Sequence, residues 1–378
     1  KIIQLLVLAV VFVIFAGAYF TYKQWISPTV IGFINYPDYM FAKFDSANDN
    51  SFIRVERINW KKGEETDLKK YDAVYIFGMG LRLPPEKVTA LKAAVNDSLA
   101  VYVYAATSQE NNITSIQGED LRYVEKCLNN SSKNNFKALL NYTRKVIDGK
   151  RLFCSDIKPP QVLPHDGFFH IGEGSLFESL KDYQSYRLNN KLHHPKAPKI
   201  CFLTSTAGPD SEHIQAVISE FEESGINMYP IFGFRKRLDF IRQVSPDMVI
   251  LMPHGRFTTD KDNEVIDYLK TRNIPLLCPI NIHKPYSVWL KDQRGMDGGI
   301  MSQSVIMPEL DGGIIPFVLS AQFKNDRGLY VFKPLPDRIK RFASMSRKYL
   351  KLKTMKNKDK KLAIVYYKGP GQNSLNAA

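Results

Sequence analysis

The chain has 378 residues, of which 44% are apolar and 24% are charged, and it carries a net charge of +14. This length predicts about two to three domains, and the composition excludes a disordered tail, a collagen and a disulfide-stabilised mini-protein. Most of the excess charge lies in residues 333–361, which hold twelve Lys and Arg against two Asp, so no nucleic-acid partner is expected. The four cysteines are far apart and form no C-x-x-C pair, which argues against a thiolate metal site.

The first segment is an apolar run of nineteen residues, Ile2–Phe20, which Tyr22 and Trp25 follow. At about 1.5 Å per residue it nearly crosses a hydrocarbon layer of roughly 30 Å, and aromatic rings favour the membrane interface. A cleaved signal peptide is the alternative, but its apolar region is usually only about 7–15 residues long. We therefore predict that residues 1–26 are an uncleaved, single-pass anchor in the inner cell membrane. Because a short N-terminus usually stays inside, the bulk of the chain is expected on the periplasmic side.

Two stretches alternate strand-like and helix-like segments, which is typical of open α/β sheets. Residues 27–105 are predicted as the first unit and 198–332 as the second, joined by a polar linker with helical portions at 106–197. The strands predicted in the first unit are Val30–Ile34, Phe52–Ile58, Ala73–Phe77 and Ala100–Tyr104, with a helix that opens after Pro84-Pro85 and runs through Val95. The second unit has predicted strands Lys199–Thr204, Ile226–Phe232, Met248–Met252 and Leu276–Ile280, separated by helices Asp210–Glu223, Leu238–Val244 and Asp260–Thr271. The predicted fold class is α/β, with two sequential doubly wound parallel-sheet units after a transmembrane helix, and ligands are expected at the carboxyl ends of the strands.

Residues 333–360 form a basic, amphipathic segment. Between Asp337 and Met355 its apolar residues recur at spacings of three and four, which marks one face of a helix. Two interpretations remain open: a solvated helix that covers a sheet, or a helix that binds anionic lipid through its Lys and Arg residues. Lys361–Tyr367 is predicted to be a new strand, so residues 361–378 are expected to begin a further domain of a longer chain.

Four blocks of sequence after residue 275 carry a resemblance to a known family. They are Leu276–Ile280, Gln303–Pro316 (QSVIMPELDGGIIP), Leu335–Arg341 (LPDRIKR), and Lys360–Tyr367 followed by Gly369–Gly371. Their order and spacing resemble the large subunit of cobaltochelatase and the large, porphyrin-binding subunit of magnesium chelatase. The last turn departs from the family pattern, because Leu375 stands where the family usually has Gly. With its apolar N-terminal run, the chain resembles the membrane-anchored chelatase-like proteins that are encoded with bacterial haem-uptake systems.

The resemblance implies a function in tetrapyrrole handling. The substrate would be haem or another porphyrin, and a divalent metal ion would be inserted, as in cobaltochelatase, or removed, as in a haem dechelatase for iron acquisition. In the family, nucleotide hydrolysis belongs to partner subunits, and the short Gly78–Gly80 run lacks the Gly-Lys-Ser/Thr of a phosphate loop, so no nucleotide is expected on this chain. The implied partners are the membrane, haem-transport proteins or chelatase partner subunits. The resemblance places the catalytic residues beyond this stretch.

Candidate substrate-binding residues follow two strands of the second predicted sheet. His254 and Arg256 come directly after its third strand, and His283 and Trp289 come after its fourth. Since the carboxyl ends of parallel strands share one edge, the two histidines are expected to converge on one planar ligand and its metal. Arg256 would neutralise a carboxylate, and Trp289 would offer a flat apolar face. The alternative for His254 and Arg256 is a surface loop held by local hydrogen bonds, and for the two histidines together it is coincidence.

Glu309 and Asp311, in the run PELDGG, are further candidates for binding the substrate. Residues two positions apart point the same way only on a strand. The pair Gly312-Gly313 instead favours a turn, in which Asp311 would hydrogen-bond the local backbone.

Two classes of function remain open from the sequence. The first is a chelatase-type enzyme subunit that binds a tetrapyrrole and inserts or removes its metal. The second is a non-catalytic, membrane-anchored module that binds a porphyrin or docks a transporter.

Overall fold

The chain divides into two units, Lys1–Leu163 with Lys324–Val331 and Pro164–Phe323 with Phe332–Ala378. The structure is a computed structural model and describes residues 2–58, 60, 67–172, 175–205, 208–364, 366–367 and 376–377. Each unit contains its own largely parallel sheet, which confirms the predicted α/β fold. The finer domain limits drawn from the sequence stay a prediction.

The first unit is a four-stranded parallel sheet with helices on both faces. Its strands are β1 (Thr29–Ile34), β2 (Ile53–Ile58), β3 (Ala73–Phe77) and β4 (Ala100–Tyr104). Its helices are α1 (Ile2–Thr21), α2 (Asp38–Ala47), α3 (Pro85–Asn96), α4 (Gly118–Asn129) and α5 (Lys133–Tyr142). The strand order is β2-β1-β3-β4, and each neighbouring pair is parallel. β3 is buried along almost its whole length because both of its faces are covered, so its sequence is a continuous apolar run.

α4 and α5 come from the segment predicted as a linker, and both pack against this first sheet. Their buried side chains Val124, Leu128, Phe136 and Leu139 share one core with Phe33 of β1. Alternate residues of β3 and β4 point the other way and form a second core with α3. Helices on both faces of a parallel sheet are the arrangement of a doubly wound fold.

α1 stands apart from both cores of the first unit. The stretch Ala9–Ile26 is long and apolar enough to cross a membrane, and none of it is buried within the chain. Phe12 and Phe15 are 74% and 71% exposed, whereas large apolar side chains of a soluble helix normally face a core. A π-helical turn, Tyr22–Ile26, leads from α1 into β1. The part of the chain that the structure describes therefore has one helix that meets the length requirement of a membrane span.

The second unit has a seven-stranded sheet in the order β12-β10-β9-β7-β8-β5-β6. These strands are β5 (Gly167–Phe169), β6 (Leu176–Phe177), β7 (Lys199–Thr204), β8 (Asn227–Phe232), β9 (Met248–Met252), β10 (Leu276–Leu277) and β12 (Gly313–Ile314). The pairs from β12 to β8 are parallel, and the short strands β5 and β6 add an antiparallel edge. The helices are α6 (Leu180–Asn189), α7 (Glu212–Glu223), α8 (Arg237–Val244), α9 (Asp262–Thr271), α10 (Tyr286–Trp289), α11 (Gly298–Met301), α12 (Met307–Glu309) and α13 (Pro336–Thr354).

A separate three-stranded sheet corrects one sequence prediction. It consists of β11 (Ile280–Pro285), β13 (Val318–Lys324) and β14 (Tyr330–Pro334) in the order β11-β13-β14. The predicted strand Leu276–Ile280 was wrong, because β10 ends at Leu277 and Ile280 already belongs to this other sheet. Pro279 has no backbone N–H with which to continue the ladder of β10. The chain therefore changes sheets at Cys278-Pro279.

The predicted amphipathic helix is confirmed as α13, and its apolar face covers the seven-stranded sheet. Ile339, Phe342, Ala343 and Leu350 are buried in one cluster with residues of α7 and of the central strands. The exposed remainder of α13 is basic, which agrees with a solvated helix that covers a sheet.

The predicted strand Lys361–Tyr367 is largely absent, since residues 361–364 are not in a strand. Only the two-residue strand β15 (Tyr366–Tyr367) is present, and it pairs antiparallel with β16 (Asn376–Ala377). The family-like turn with Pro370, Gly371, Asn373 and Leu375 lies outside the described residues.

Candidate functional site

The loop after β9 is fixed to the segment that carries the PELDGG run. The Gly255 N–H donates to the Gln303 carbonyl at 2.8 Å, and the Phe257 N–H donates to Asp311 Oδ2 at 2.8 Å. Gly255 has φ +101°, a conformation that side-chain-bearing residues rarely adopt. His254, just before this glycine, is exposed. The local backbone therefore holds an imidazole in the open at the carboxyl end of β9, where the sequence predicted one.

Arg256 is already engaged by two carboxylates. Its Nε and Nη2 donate to Asp311 Oδ1 at 2.9 and 2.6 Å, and its Nη1 lies 3.1 Å from Asp262 Oδ2. The hydrogen bonds from Arg256 to Asp311 raise the pKa of Arg256, so the guanidinium stays charged. Its side chain is 27% exposed, whereas the Asp311 side chain is fully buried. Arg256 thus sits at the predicted edge, but much of its charge is balanced within the loop.

Glu309 and Asp311 do not form a carboxylate pair. Glu309 ends the short helix α12 and is exposed, while both oxygens of Asp311 accept hydrogen bonds from the β9 loop. The turn predicted from the two glycines is present, since Gly312 has φ +86°. A Cβ on Gly313 would lie 2.6 Å from Cys278 Sγ and 2.8 Å from the Pro308 carbonyl oxygen, so that close approach requires glycine.

His283 lies within β11 rather than after a strand of the main sheet. Burial lowers its pKa, the positive charge that His254 can carry lowers it further, and Asp297 partly opposes both effects. Such an influence requires the two imidazoles to lie near each other, although they belong to different sheets. The His283 ring packs against Phe332 in an edge-to-face arrangement with centroids 4.9 Å apart. With a lowered pKa, His283 is neutral near pH 7 and keeps a ring nitrogen with a lone pair.

A third histidine, His213 at the start of α7, was missed from the sequence. Its ring centroid lies 5.6 Å from that of Phe332, the same ring that His283 contacts, and it is only 4% exposed. Its Nε2 lies 3.5 Å from Asn281 Nδ2, and Asn281 Oδ1 accepts from Ser320 Oγ at 2.6 Å. A lone histidine on an amphipathic helix carries no motif, so only the structure brings it beside β11.

Trp289 packs into the small core of the three-stranded sheet. Its ring centroid lies 6.0 Å from that of Tyr286, and the Arg338 guanidinium carbon lies 5.8 Å above it. Arg338, from the LPDRIKR block, also lies 4.3 Å over Phe317 and donates from Nε to the Val318 carbonyl at 2.7 Å. Trp289 is half-buried, so part of its indole face remains accessible.

Within the described ranges no group of three or more His, Cys, Asp or Glu side chains is arranged to hold a metal ion. The four cysteines are unpaired with one another, and Cys127, Cys201 and Cys278 are buried. Burial raises the pKa of Cys127 and of Cys278 to about 12, so neither is a thiolate near pH 7. The residues available for binding are therefore imidazoles, one partly exposed guanidinium and aromatic faces.

These features define an open α/β protein whose second sheet carries imidazoles near the carboxyl end of a central strand. Residues 125–378 match the family described as CobN/Magnesium Chelatase, so the chain belongs to that family. It is 22% identical over 251 residues to the large (H-type) magnesium-chelatase subunit of Chlorobaculum parvum, covering 61% of this chain and 19% of that protein. An uncharacterised protein of Methanocaldococcus jannaschii is 23% identical over 272 residues, or 65% of this chain and 22% of the relative.

The fold is similar to that of a solved chelatase structure. The catalytic subunit of cobaltochelatase from Mycobacterium tuberculosis superposes with a TM-score of 0.57 at 15% identity, over 87% of this chain and 28% of that one. The chain thus spans about a fifth of the length of the curated relatives and just over a quarter of the cobaltochelatase subunit. Homology to chelatase enzymes is therefore established for this part of their length.

Proposed function

We propose that the chain is the N-terminal part of a chelatase-type protein that binds a tetrapyrrole and inserts or removes its divalent metal. The observation that carries the proposal is the proximity of His254 and His283, which come from different sheets. Chelatase relatives act on a metal and a macrocycle together, and such a substrate needs nitrogen ligands beside an apolar face. The catalytic residues are expected in the part of the relatives that this chain does not span.

Each residue of this edge has a distinct part in the proposal. His254 is exposed and offers a nitrogen to a metal in the ring, while His283 is neutral near pH 7 and accepts a pyrrole proton. The exposed part of Arg256 attracts a carboxylate of the macrocycle, with Asp311 fixing its orientation. Trp289 lends an apolar face.

The finer parts of the proposal concern location and direction. α1 is proposed to anchor the protein in the inner membrane, with the bulk on the periplasmic side, because its apolar side chains are exposed over the length of a span. Haem is the proposed macrocycle and iron removal the proposed direction, with haem-transport proteins or chelatase partner subunits as partners. Extraction from membranes should then require detergent, and release by salt or alkaline carbonate would contradict the anchor.

Titration of the full-length protein with haem tests the site. His254→Ala or His283→Ala should weaken haem binding about tenfold or more, which corresponds to about 1.4 kcal/mol. His193→Ala, which removes an exposed histidine from the segment before β7, is the matched control and should bind like the parent. Arg256→Ala should reduce affinity for porphyrins with free carboxylates more than for their esters. Parent-like binding by both His254 and His283 variants would leave this edge as scaffold only.

The same titration separates the two classes of function. Appearance of metal-free porphyrin with the full-length protein supports the enzyme, whereas stable haem binding without metal release supports a non-catalytic binding module.

A further inference from the structure

A loop far along the sequence lies directly beside the base of α1. This helix-base loop, residues 145–153, approaches the turn that follows α1 through Arg151 and Leu152, whose N–H groups donate to the Trp25 carbonyl at 3.3 and 3.1 Å. The Arg151 guanidinium lies 4.9 Å over the Trp25 ring. Lys150 Nζ donates to the Lys23 carbonyl at 2.8 Å. The fold therefore brings the helix-base loop to the level of Trp25, at the end of the apolar helix.

One buried arginine makes this arrangement rigid. Arg144 is fully buried, and its Nη2 donates to the carbonyls of Ile26 and Leu152 at 3.0 and 2.8 Å. Its Nη1 donates to the Ser27 carbonyl at 3.0 Å, and its Nε donates to the Phe153 carbonyl at 3.1 Å. A single planar guanidinium thus links the segment after α1 to the helix-base loop, and its fixed donor geometry sets their relative position.

The helix-base loop exposes apolar side chains and positive charge. Val146, Leu152 and Phe153 are 40%, 46% and 57% exposed. Lys145 and Arg151 are exposed too. The acidic residue of the loop, Asp148, pairs with Lys150 at 3.3 Å, and these two side chains are only 9% and 7% exposed. The loop therefore presents to its surroundings apolar tips and cations, the combination that binds an anionic lipid surface.

We propose that the helix-base loop is a membrane-docking surface that inserts Leu152 and Phe153 among anionic lipid headgroups. The inference rests on the proposed membrane span of α1. Continuity argues for lipid as the occupant, because the exposed apolar surface of α1 leads through Tyr22, itself 49% exposed, to the loop. Lys145 and Arg151 then meet lipid phosphates, and the first unit lies against the bilayer instead of swinging freely on a single helix.

The opposite edge of the first sheet provides an internal control. The helix-base loop lies at the edge where β1 begins, as the bonds from Arg144 to Ser27 show. Met79 follows the end of β3, so a five-residue strand, about 17 Å long, separates the two edges. Met79 is 57% exposed, the same fraction as Phe153. The two side chains therefore differ in place but not in accessibility.

The test measures lipid contact at single labelled positions of the intact chain. In a Cys154→Ser background the three remaining cysteines are buried, so an introduced cysteine takes up an environment-sensitive fluorophore selectively. Phe153→Cys, Met79→Cys and Gly17→Cys proteins are reconstituted into vesicles of phosphatidylcholine with phosphatidylglycerol. No atom lies within 4 Å of a Cβ at Gly17, so α1 tolerates that change. Quenching by bromine on the lipid acyl chains is compared with quenching by aqueous iodide.

The proposal expects strong acyl-chain quenching at positions 17 and 153 and iodide quenching at 79. In a further variant, Lys145→Glu with Arg151→Glu should reduce acyl-chain quenching at 153 several-fold in the phosphatidylglycerol vesicles. Acyl-chain quenching at 17 with aqueous exposure at 153 overturns the docking surface and leaves the anchor intact. Aqueous exposure at 17 overturns the anchor itself. Concentration-dependent protection of position 153 in detergent, without lipid, overturns the assignment to lipid in favour of a second copy of the chain.

Discussion

The two parallel sheets of this chain present very different residues at the carboxyl ends of their strands. At the end of β1 in the first sheet, Tyr36 is buried beside Phe33 and Phe44 with ring centroids 5.3 and 5.5 Å apart, and Asn35 donates to the Phe77 carbonyl. In the second unit, the equivalent region has His213, His254 and His283. All seven histidines of the chain lie after residue 163, so the first sheet has none. A parallel sheet supplies an edge, but only the residues placed there decide whether that edge can bind a metal or exchange a proton.

The largest expected effect concerns the polar support of the second edge. Asp311→Ala should lower the free energy of unfolding by about 3 kcal/mol, because it removes a buried carboxylate that holds Arg256 and the Phe257 N–H. Asp262→Ala also removes a partner of Arg256, but Asp262 is 34% exposed, so the loss should be at most about 1 kcal/mol. Denaturant unfolding of both variants checks this difference, and equal losses would show that burial at Asp311 is not what matters.

A smaller effect is expected from the pH dependence of His283. Its pKa is lowered in the folded protein, so the unfolded chain binds the proton more readily, and stability is lost as the pH falls below about 6.5. His283→Gln should remove that part of the acid destabilisation, as measured by unfolding at several pH values. His254→Ala should raise the pKa of His283 towards its ordinary value, since it removes a like charge. An unchanged His283 titration by NMR in that variant would contradict the proximity of the two rings.

The smallest effect is expected at the first edge. Among the described residues the buried Tyr36 hydroxyl has no hydrogen-bond partner, so Tyr36→Phe should be neutral or stabilise by up to about 1 kcal/mol. Tyr75→Phe is the matched control in the same sheet, because its hydroxyl lies 2.6 Å from Thr143 Oγ1. That change should cost about 1 kcal/mol. A clear loss of thermal stability in Tyr36→Phe would reveal a polar partner at this edge.

The long buried strands could be predicted from the sequence almost to the residue. β3, β4, β7 and β9 have the bounds that their apolar runs predicted, because a parallel strand covered on both faces has no need of polar alternation. The short strands β5 and β6 fell in a stretch interpreted as a polar linker. Two or three residues give no periodicity to detect, and only their pairing with β8 and with each other makes them strands.

The candidate site was only partly predictable for a related reason. His254 was placed correctly after β9, but His283 was assigned to the wrong sheet because the change of sheet at Pro279 leaves little trace in an apolar run. His213 could not be identified, since its neighbours in space, Asn281 and Phe332, are distant in sequence. Arg256 and Asp311 were both named as candidates, yet their mutual pairing depends on a turn whose direction the sequence does not specify.

The place of Arg144 in the sequence sets the order in which the first unit is completed during synthesis. Its guanidinium reaches the carbonyls of Ile26 and Ser27 across 118 and 117 residues. Those carbonyls gain their buried partner only after residue 144 has left the ribosome, because contacts of such long range form late. During that interval α1 has already emerged while its base is unconstrained. The helix can therefore partition into a bilayer before the folded unit fixes its angle.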